Sequence, residues 1–382
     1  MIESWHLRPK SFFEHPNRRR LTMVDNPEAN SVPDARFDAL ALTEFATQLL
    51  KAAGLPLDRA SVVASIFVEA DLLGYSTHGV ARLDSNLQWL QKGETRVSGD
   101  PHVLVNGGSV EVWDARFLPG PWVTMTAVRK ACLSAQEFGV CSISIRRAQH
   151  IACLAAYLQE ATDKGLMILL SVTTPSEAVV APYGSVDRVF SCNPLSIGIP
   201  TAGDPILIDT TTAMSAQGPL FRSYELHRTL PAHSVISRDG VFTDDPAEFV
   251  ERGGAILPTG GPEQGYKGYG LCLFTEALAA LAGAGRMDTS GEGEANSVFV
   301  QVFDPSRFGG RDVFQGQMSH LADLCRRGQP WPGGEAVRVP GDRALADKRR
   351  QAVEGVKIRA SILTKLSYWS NKFSIEMPGK VN

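Results

Sequence analysis

The chain has 382 residues, 43% of them hydrophobic, and a formal net charge of −3, enough length for a sizeable core in two domains but no positive field to draw nucleic acid or an anionic membrane. Its apolar runs fall short of the roughly 20 residues that cross a bilayer, so no membrane partner is expected. Six scattered cysteines (Cys132, Cys141, Cys153, Cys192, Cys272 and Cys325) form no Cys-x-x-Cys pair, which reads as a reduced, cytoplasmic protein without structural zinc.

Residues 1–35 read as a disordered extension. They carry the charge run Arg18-Arg19-Arg20 and then many Pro, Asn and Asp residues, with no apolar segment of a secretory signal. Over 43–53 the residues Phe45, Leu49, Leu50 and Ala53 recur at helical spacing, and Gly54 closes that helix. Asp58 is expected to cap a second helix that ends at Leu73, where Gly74 takes a left-handed cap. Ser76 is expected to cap a third. On it His78 and Arg82, four residues apart, share a face with Ser85 and Trp89, while Val80, Leu83, Leu87 and Leu90 face the core. An imidazole that titrates near neutrality, beside a guanidinium that grips carboxylates through two parallel bonds, suits redox chemistry at a carbon next to a carboxylate. Spacing alone describes a solvated helix face equally well.

Strands at 102–105 and 109–113 flank the turn Asn106-Gly107-Gly108. A helix over 122–138, a strand over 140–145, a helix from His150 to 162 and a strand over 166–172 then alternate in α/β fashion. Short strands follow at 195–199 and 205–208, then a helix over 271–284, a strand over 298–303, and helices over 313–327 and 343–353. Beyond 364 the pattern assigns nothing.

No G-x-G-x-x-G fingerprint joins a strand to a helix, so a Rossmann site is excluded. The nearest glycine-rich stretch, Gly265-Tyr266-Lys267-Gly268-Tyr269-Gly270, reads as a turn before the helix at 271. It would either bring backbone N–H groups and Lys267 to a phosphate or be a plain turn with an exposed lysine. Asp209 ends Ile206-Leu207-Ile208 and precedes Thr210-Thr211-Thr212. It could orient an imidazole or hold a ribose, or cap a turn. His150, placed at a helix start, would be disfavoured from protonation and donate as a neutral ring, or serve structure alone. No two histidines have metal-ligand spacing on one helix and no Gly-x-Ser-x-Gly elbow occurs, so no metal is expected.

Several motifs match one family in order: ADLLGYSTHGVARL at 70–83, a histidine after a central strand, PYG, CNP, IDTTT, EQGYKGYGL at 263–271 and VPGDR at 339–343. Over 36–356 the chain resembles the malate/L-lactate dehydrogenase-type oxidoreductases, which include diketogulonate reductase, ureidoglycolate dehydrogenase and piperideine-2-carboxylate reductase. The resemblance implies an α/β (α+β), non-Rossmann, sulfolactate dehydrogenase-like fold. Its expected division is a mainly helical part, 36–105 with 262–365, an α/β cofactor part, 106–261, and a tail, 366–382. It implies NAD or NADP bound extended, His78 moving the proton, Arg82 at the carboxylate of a small-molecule substrate, and Asp209 in the catalytic set. His150, Ile206, Leu207, Ile208, Asp209, Thr210, Thr211, Tyr266, Lys267, Gly341, Asp342 and Arg343 would line the cofactor. It also implies a homodimer with the active site near the interface. The chain departs from the family where His-Phe-Gly is usual (His150-Ile151-Ala152), before Asn-Pro (Ser191-Cys192), and at Gly184-Ser185 and Gly218-Pro219. The expected reaction is hydride transfer at C2 of a 2-oxo or 2-hydroxy acid. The alternatives are reduction of a cyclic imine 2-carboxylate and a non-catalytic binding protein on the same fold.

Overall fold

The computed structural model describes residues 33–288 and 295–381, so the expected extension lies outside the described residues up to 32. The described chain opens with β1 (Ala35–Phe37) and α1 (Ala39–Ala52). Asp38 starts α1 by accepting the Ala41 N–H at 2.9 Å, and Leu42, Phe45, Leu49 and Leu50 line its buried face. In α2 (Leu57–Leu72) the cap residue is Pro56; Asp58 lies inside the first turn, where its charge suits the helix dipole but makes no cap bond. Gly74, at φ +88°, ends α2 as expected, with its N–H on Asp71 O and the Tyr75 N–H on Ala70 O.

The chain does not enter a helix at Ser76. It turns through Tyr75–Gly79, makes one 3₁₀ turn over Val80–Arg82, and only then forms α3 (Leu83–Lys92). The Ser76 hydroxyl is taken as an acceptor by Arg359, 3.1 Å away, and is not a cap. His78 therefore stands in a turn and shares no helix with Arg82. The core side of the expectation holds: Val80, Leu83, Leu87 and Leu90 are buried.

Next come β2 (His102–Asn106), β3 (Val110–Asp114), α4 (Gly120–Phe138), β4 (Val140–Ala148), α5 (Ala155–Thr162), β5 (Met167–Thr173), β6 (Leu195–Ile199) and β7 (Ile206–Thr210). A more irregular stretch holds α6 (Gln217–Glu225), β8 (Val235–Ile236), β9 (Phe242–Thr243), α7 (Pro246–Val250) and β10 (Ala255–Ile256). The chain then runs through α8 (Gly261–Ala280), β11 (Asn296–Phe303), α9 (Arg311–Arg326), α10 (Asp342–Glu354), β12 (Val356–Ile358), α11 (Ala360–Phe373) and β13 (Lys380–Val381).

A seven-stranded sheet has the order β2-β3-β4-β11-β5-β6-β7, with β3 and β4 parallel and the other neighbours antiparallel. β11 is buried on both sides. Val298, Val300 and Val302 join the main core, and Phe299 is buried on the alternate face. β2 and β11 stand where strands were expected over 102–105 and 298–303, and both belong to this sheet. α4 packs on β4 and β11, α5 on β6, and α2 on both helices, so one core runs from α1 to the sheet. β1 pairs with β12 and β13, tying the two ends of the described chain together. Among the described residues no helix is long and apolar enough to cross a membrane.

The glycine-rich stretch is not a turn. It forms the first half of α8, ten residues earlier than the helix expected at 271. A Cβ at Gly268 would collide with the Thr259 backbone, and one at Gly265 would lie 3.0 Å from the Tyr183 ring. These glycines let α8 lie flat on its neighbours. The Gly268 N–H donates to Thr259 O at 3.1 Å and is not open to an anion.

Candidate active site

His78 is held from three sides. Its Nδ1 lies 2.9 Å from Thr77 Oγ1, its Nε2 lies 3.4 Å from Arg82 Nη2, and its ring stacks on His150 with centroids 5.8 Å apart. A guanidinium only donates, so the contact with Arg82 requires a lone pair on Nε2 and places the ring proton on Nδ1, facing Thr77. Burial, and then the Arg82 charge, depress the His78 pKa to about 3. His150 is half-buried, with the Trp89 ring 6.5 Å away. Burial, then Arg82 and His78, hold it well below the usual imidazole range.

His150 does not begin a helix: α5 starts at Ala155, and burial rather than a helix end keeps its ring neutral. Its Nδ1 accepts the Ala152 N–H at 3.2 Å, which leaves the ring proton on Nε2. That turn needs Ala152 at φ +65°, where the family's glycine would sit without strain. Ala152→Gly should therefore raise unfolding stability by about 1 kcal/mol, read as a higher urea midpoint at unchanged slope. A lower midpoint would show that the left-handed turn carries no strain.

Asp209 comes off the end of β7 onto the N-terminus of α5. Its Oδ2 accepts the Ala155 N–H at 3.0 Å and the Cys153 thiol at 3.6 Å. Burial pushes its pKa up to about 6, against the pull of the Ala155 N–H. The Tyr75 phenol is raised by burial and by the Asp209 charge, and lies within electrostatic reach of Arg343. Tyr75 thus links the His78 turn, the end of β7 and the late VPGDR segment. Gly341, at φ +102°, rests on β7: a Cβ there would lie 2.8 Å from Leu207 N, whose N–H donates to Pro340 O at 3.0 Å. Asp342 is engaged by Arg326 at 2.8 and 3.1 Å and by the Val339 N–H at 2.8 Å. Asp342 and Arg326 border an open cleft of ≈ 510 Å³, lined also by Thr201, Asp204, Ser319 and Arg349.

The structure therefore brings His78, Arg82 and His150 into one cluster, with Asp209 and Arg343 within electrostatic reach of Tyr75 in the same turn. Ile206 and Leu207 are buried, Ile208 and Thr211 half-buried, and Thr210 exposed. Tyr266 and Lys267 stand on the exposed side of α8, two links from β7: Gly268 packs on Thr259, and Thr259 Oγ1 donates to Thr211 O at 3.2 Å. Sequence reasoning missed Thr77, Tyr75 and Cys153 as neighbours of the candidate site residues. The first two lie inside the His78 motif and could have been weighed there. No local signal marks Cys153.

The profile of the malate/L-lactate dehydrogenase family matches residues 37–367. The chain belongs to this family. It is an oxidoreductase of the malate, lactate, sulfolactate and ureidoglycolate dehydrogenase group, and the expected fold class and resemblance hold. Among its relatives, the L-sulfolactate dehydrogenase of Methanocaldococcus jannaschii is 28% identical over 337 residues, covering 86% of this chain and 94% of that one. A ureidoglycolate dehydrogenase (NAD(+)) of Escherichia coli is 28% identical over 315 residues, covering 80% and 87%. The solved malate dehydrogenase of Pyrococcus horikoshii superposes with a TM-score of 0.81 at 25% identity, covering 90% of this chain and 97% of that one. As a family member the chain uses a dehydrogenase fold in which the two ends of the described chain pair in a small sheet of their own, β12-β1-β13, beside the seven-stranded one.

Proposed function

We propose that this member of the malate/L-lactate dehydrogenase family exchanges a hydride between NAD or NADP and C2 of a 2-hydroxy or 2-oxo acid. The observation that carries the reading is the contact of Arg82 Nη2 with His78 Nε2 at 3.4 Å. It sets a carboxylate-binding cation on the lone pair of a neutral ring. When a substrate carboxylate takes Arg82 through two bonds, Nε2 is released toward the neighbouring C2 oxygen and can accept or return its proton. Neutralising Arg82 also removes one cause of the low His78 pKa, so substrate binding raises the ring's basicity as the proton arrives. His150 and Trp89 exclude water on one side of the ring.

A nicotinamide, when bound, supplies or takes the hydride. The donor set fits a dinucleotide lying extended along β7. Asp209, Thr210 and Thr211 would stand at one end and Gly341, Asp342 and Arg343 at the other, where Asp342 borders the cleft, with Tyr266 and Lys267 at the ribose or phosphates. The relative named for NAD(+) supports a nicotinamide cofactor without choosing NAD over NADP. The test is a panel of 2-oxo acids, with one cyclic imine 2-carboxylate, offered with NADH and with NADPH. Cofactor fluorescence and absorbance at 340 nm are followed. Binding without turnover on any member would favour a non-catalytic protein on this fold.

Lys267→Ala should weaken cofactor binding by a charge-assisted hydrogen bond, about 1.5–3 kcal/mol, with substrate KM at saturating cofactor nearly unchanged. An unaltered fluorescence titration would move the phosphate position away from α8. A homodimer is part of the same reading. The outward side of α8 exposes Leu271, Leu273, Phe274 and Leu281, an apolar stripe that a second copy would cover. Six free cysteines suit a reducing, cytoplasmic setting.

A further inference from the structure

The turn that carries His78 is shaped by a carboxyl outside the reacting cluster. Asp71, in the last turn of α2, is buried, and its Oδ2 accepts the Val80 N–H at 2.7 Å. That bond draws the chain back across the helix end just after His78. The carboxyl also fills the space over Gly79, where any Cβ would collide with it. Its backbone carbonyl is held in turn by Gln351 of α10, 2.7 Å away, and Gln351 Oε1 accepts the Lys357 N–H at 3.0 Å. Asp71 is thus clamped from the C-terminal part of the chain and passes that constraint to the turn.

We infer that Asp71 is a positioning residue for proton transfer: by holding the Val80 N–H and admitting only glycine at 79, it sets where His78 stands relative to Arg82 and His150. This inference rests on the proposed role of His78. Shape and one acceptor oxygen are what the role requires. Oδ1 is buried with no hydrogen-bond partner among the described residues, a poor place for a full negative charge. Burial pushes the Asp71 pKa up to about 8, against the Val80 N–H and Arg359, which faces it from the start of α11. Asp347 of α10 approaches the same turn, with Oδ2 3.3 Å from where a Gly74 Cβ would be, and adds no positive charge. At neutral pH the group therefore acts as a neutral acceptor, and asparagine should replace it.

The test measures kcat, KM, NADH affinity by fluorescence, and hydrogen exchange of the peptide spanning 74–82, in four variants. A misplaced reacting group costs up to about 100-fold, so Asp71→Ala should lower kcat about 10- to 100-fold with NADH affinity within about twofold and faster exchange at Val80. Asp71→Asn should keep kcat within about threefold and exchange like wild type. Gly79→Ala, whose methyl displaces the carboxyl, should lose as much as Asp71→Ala, and the double variant should lose little more than either, because both break one contact. Full kcat in Asp71→Ala or in Gly79→Ala, additive losses in the pair, or a tenfold loss in Asp71→Asn with unchanged exchange would overturn the inference. If Asp71→Ala does not fold, Gly79→Ala and Asp71→Asn decide it alone. Full activity of His78→Ala would instead remove the proposed function, and the exchange data would still report whether Asp71 holds the turn.

Discussion

His78→Ala is expected to lower kcat by about 10²–10⁴-fold while the cofactor still binds, the range a positioned general acid or base contributes. The size follows from what else surrounds the reacting atoms. His150 lies 5.8 Å away ring to ring, but its Nδ1 is committed to the Ala152 N–H, and burial together with two neighbouring cations or rings keeps it neutral. It is poorly placed to replace His78. Because the free enzyme holds His78 near a pKa of about 3, the ring is a base throughout the neutral range, and hydroxy-acid oxidation should need no deprotonation of the resting enzyme. The same value has a signed consequence for stability. Between about pH 3 and the ordinary 6.5, the unfolded chain binds a proton at His78 that the folded chain refuses. His78 therefore favours folding progressively more as pH rises through that window, and its contribution falls away below it. Near-full activity of His78→Ala on the true substrate would reassign the proton to another group.

Arg82→Leu should cost on the order of 2–5 kcal/mol in kcat/KM, the penalty of leaving a buried carboxylate without its partner. Arg82→Lys should fall between leucine and wild type, since lysine keeps the charge and loses the planar fork. His78 is reached from the turn and Arg82 from the 3₁₀ turn beside it, yet the two side chains meet at 3.4 Å. Their ligand partners must therefore be close neighbours, as C1 and C2 of a 2-oxo acid are. The deciding contrast is a substrate pair, a 2-oxo acid against its amide. Wild type should prefer the acid strongly, and Arg82→Leu should lose most of that preference. If the preference survives, the carboxylate is held by another cation, and the pairing of Arg82 with His78 serves only to set the ring's tautomer.

What the sequence determined by itself was whatever short-range pattern controls. Apolar residues at helical spacing placed α1, α2 and the buried side of α3, where Val80, Leu83, Leu87 and Leu90 are all covered. β-rich runs separated by glycine turns located the strands of the sheet, and seven ordered motifs were enough to name the family. The tertiary structure decided the points at which a distant group outbids local propensity. Ser76 looked like a cap, but its hydroxyl is bound by Arg359, and the Val80 N–H goes to Asp71, so the helix starts at Leu83 instead. Three glycines, two tyrosines and a lysine at 265–270 looked like a turn. The ring of Tyr183 lies against Gly265 and the backbone of Thr259 against Gly268, so packing onto these neighbours holds the stretch in α8 where only glycine fits the Gly268 contact. His150 and His78 are 72 positions apart in sequence, and neither spacing nor composition foretells that their rings stack. That meeting depends on β4 ending against the turn after α2, which is a property of the packed core and not of either segment.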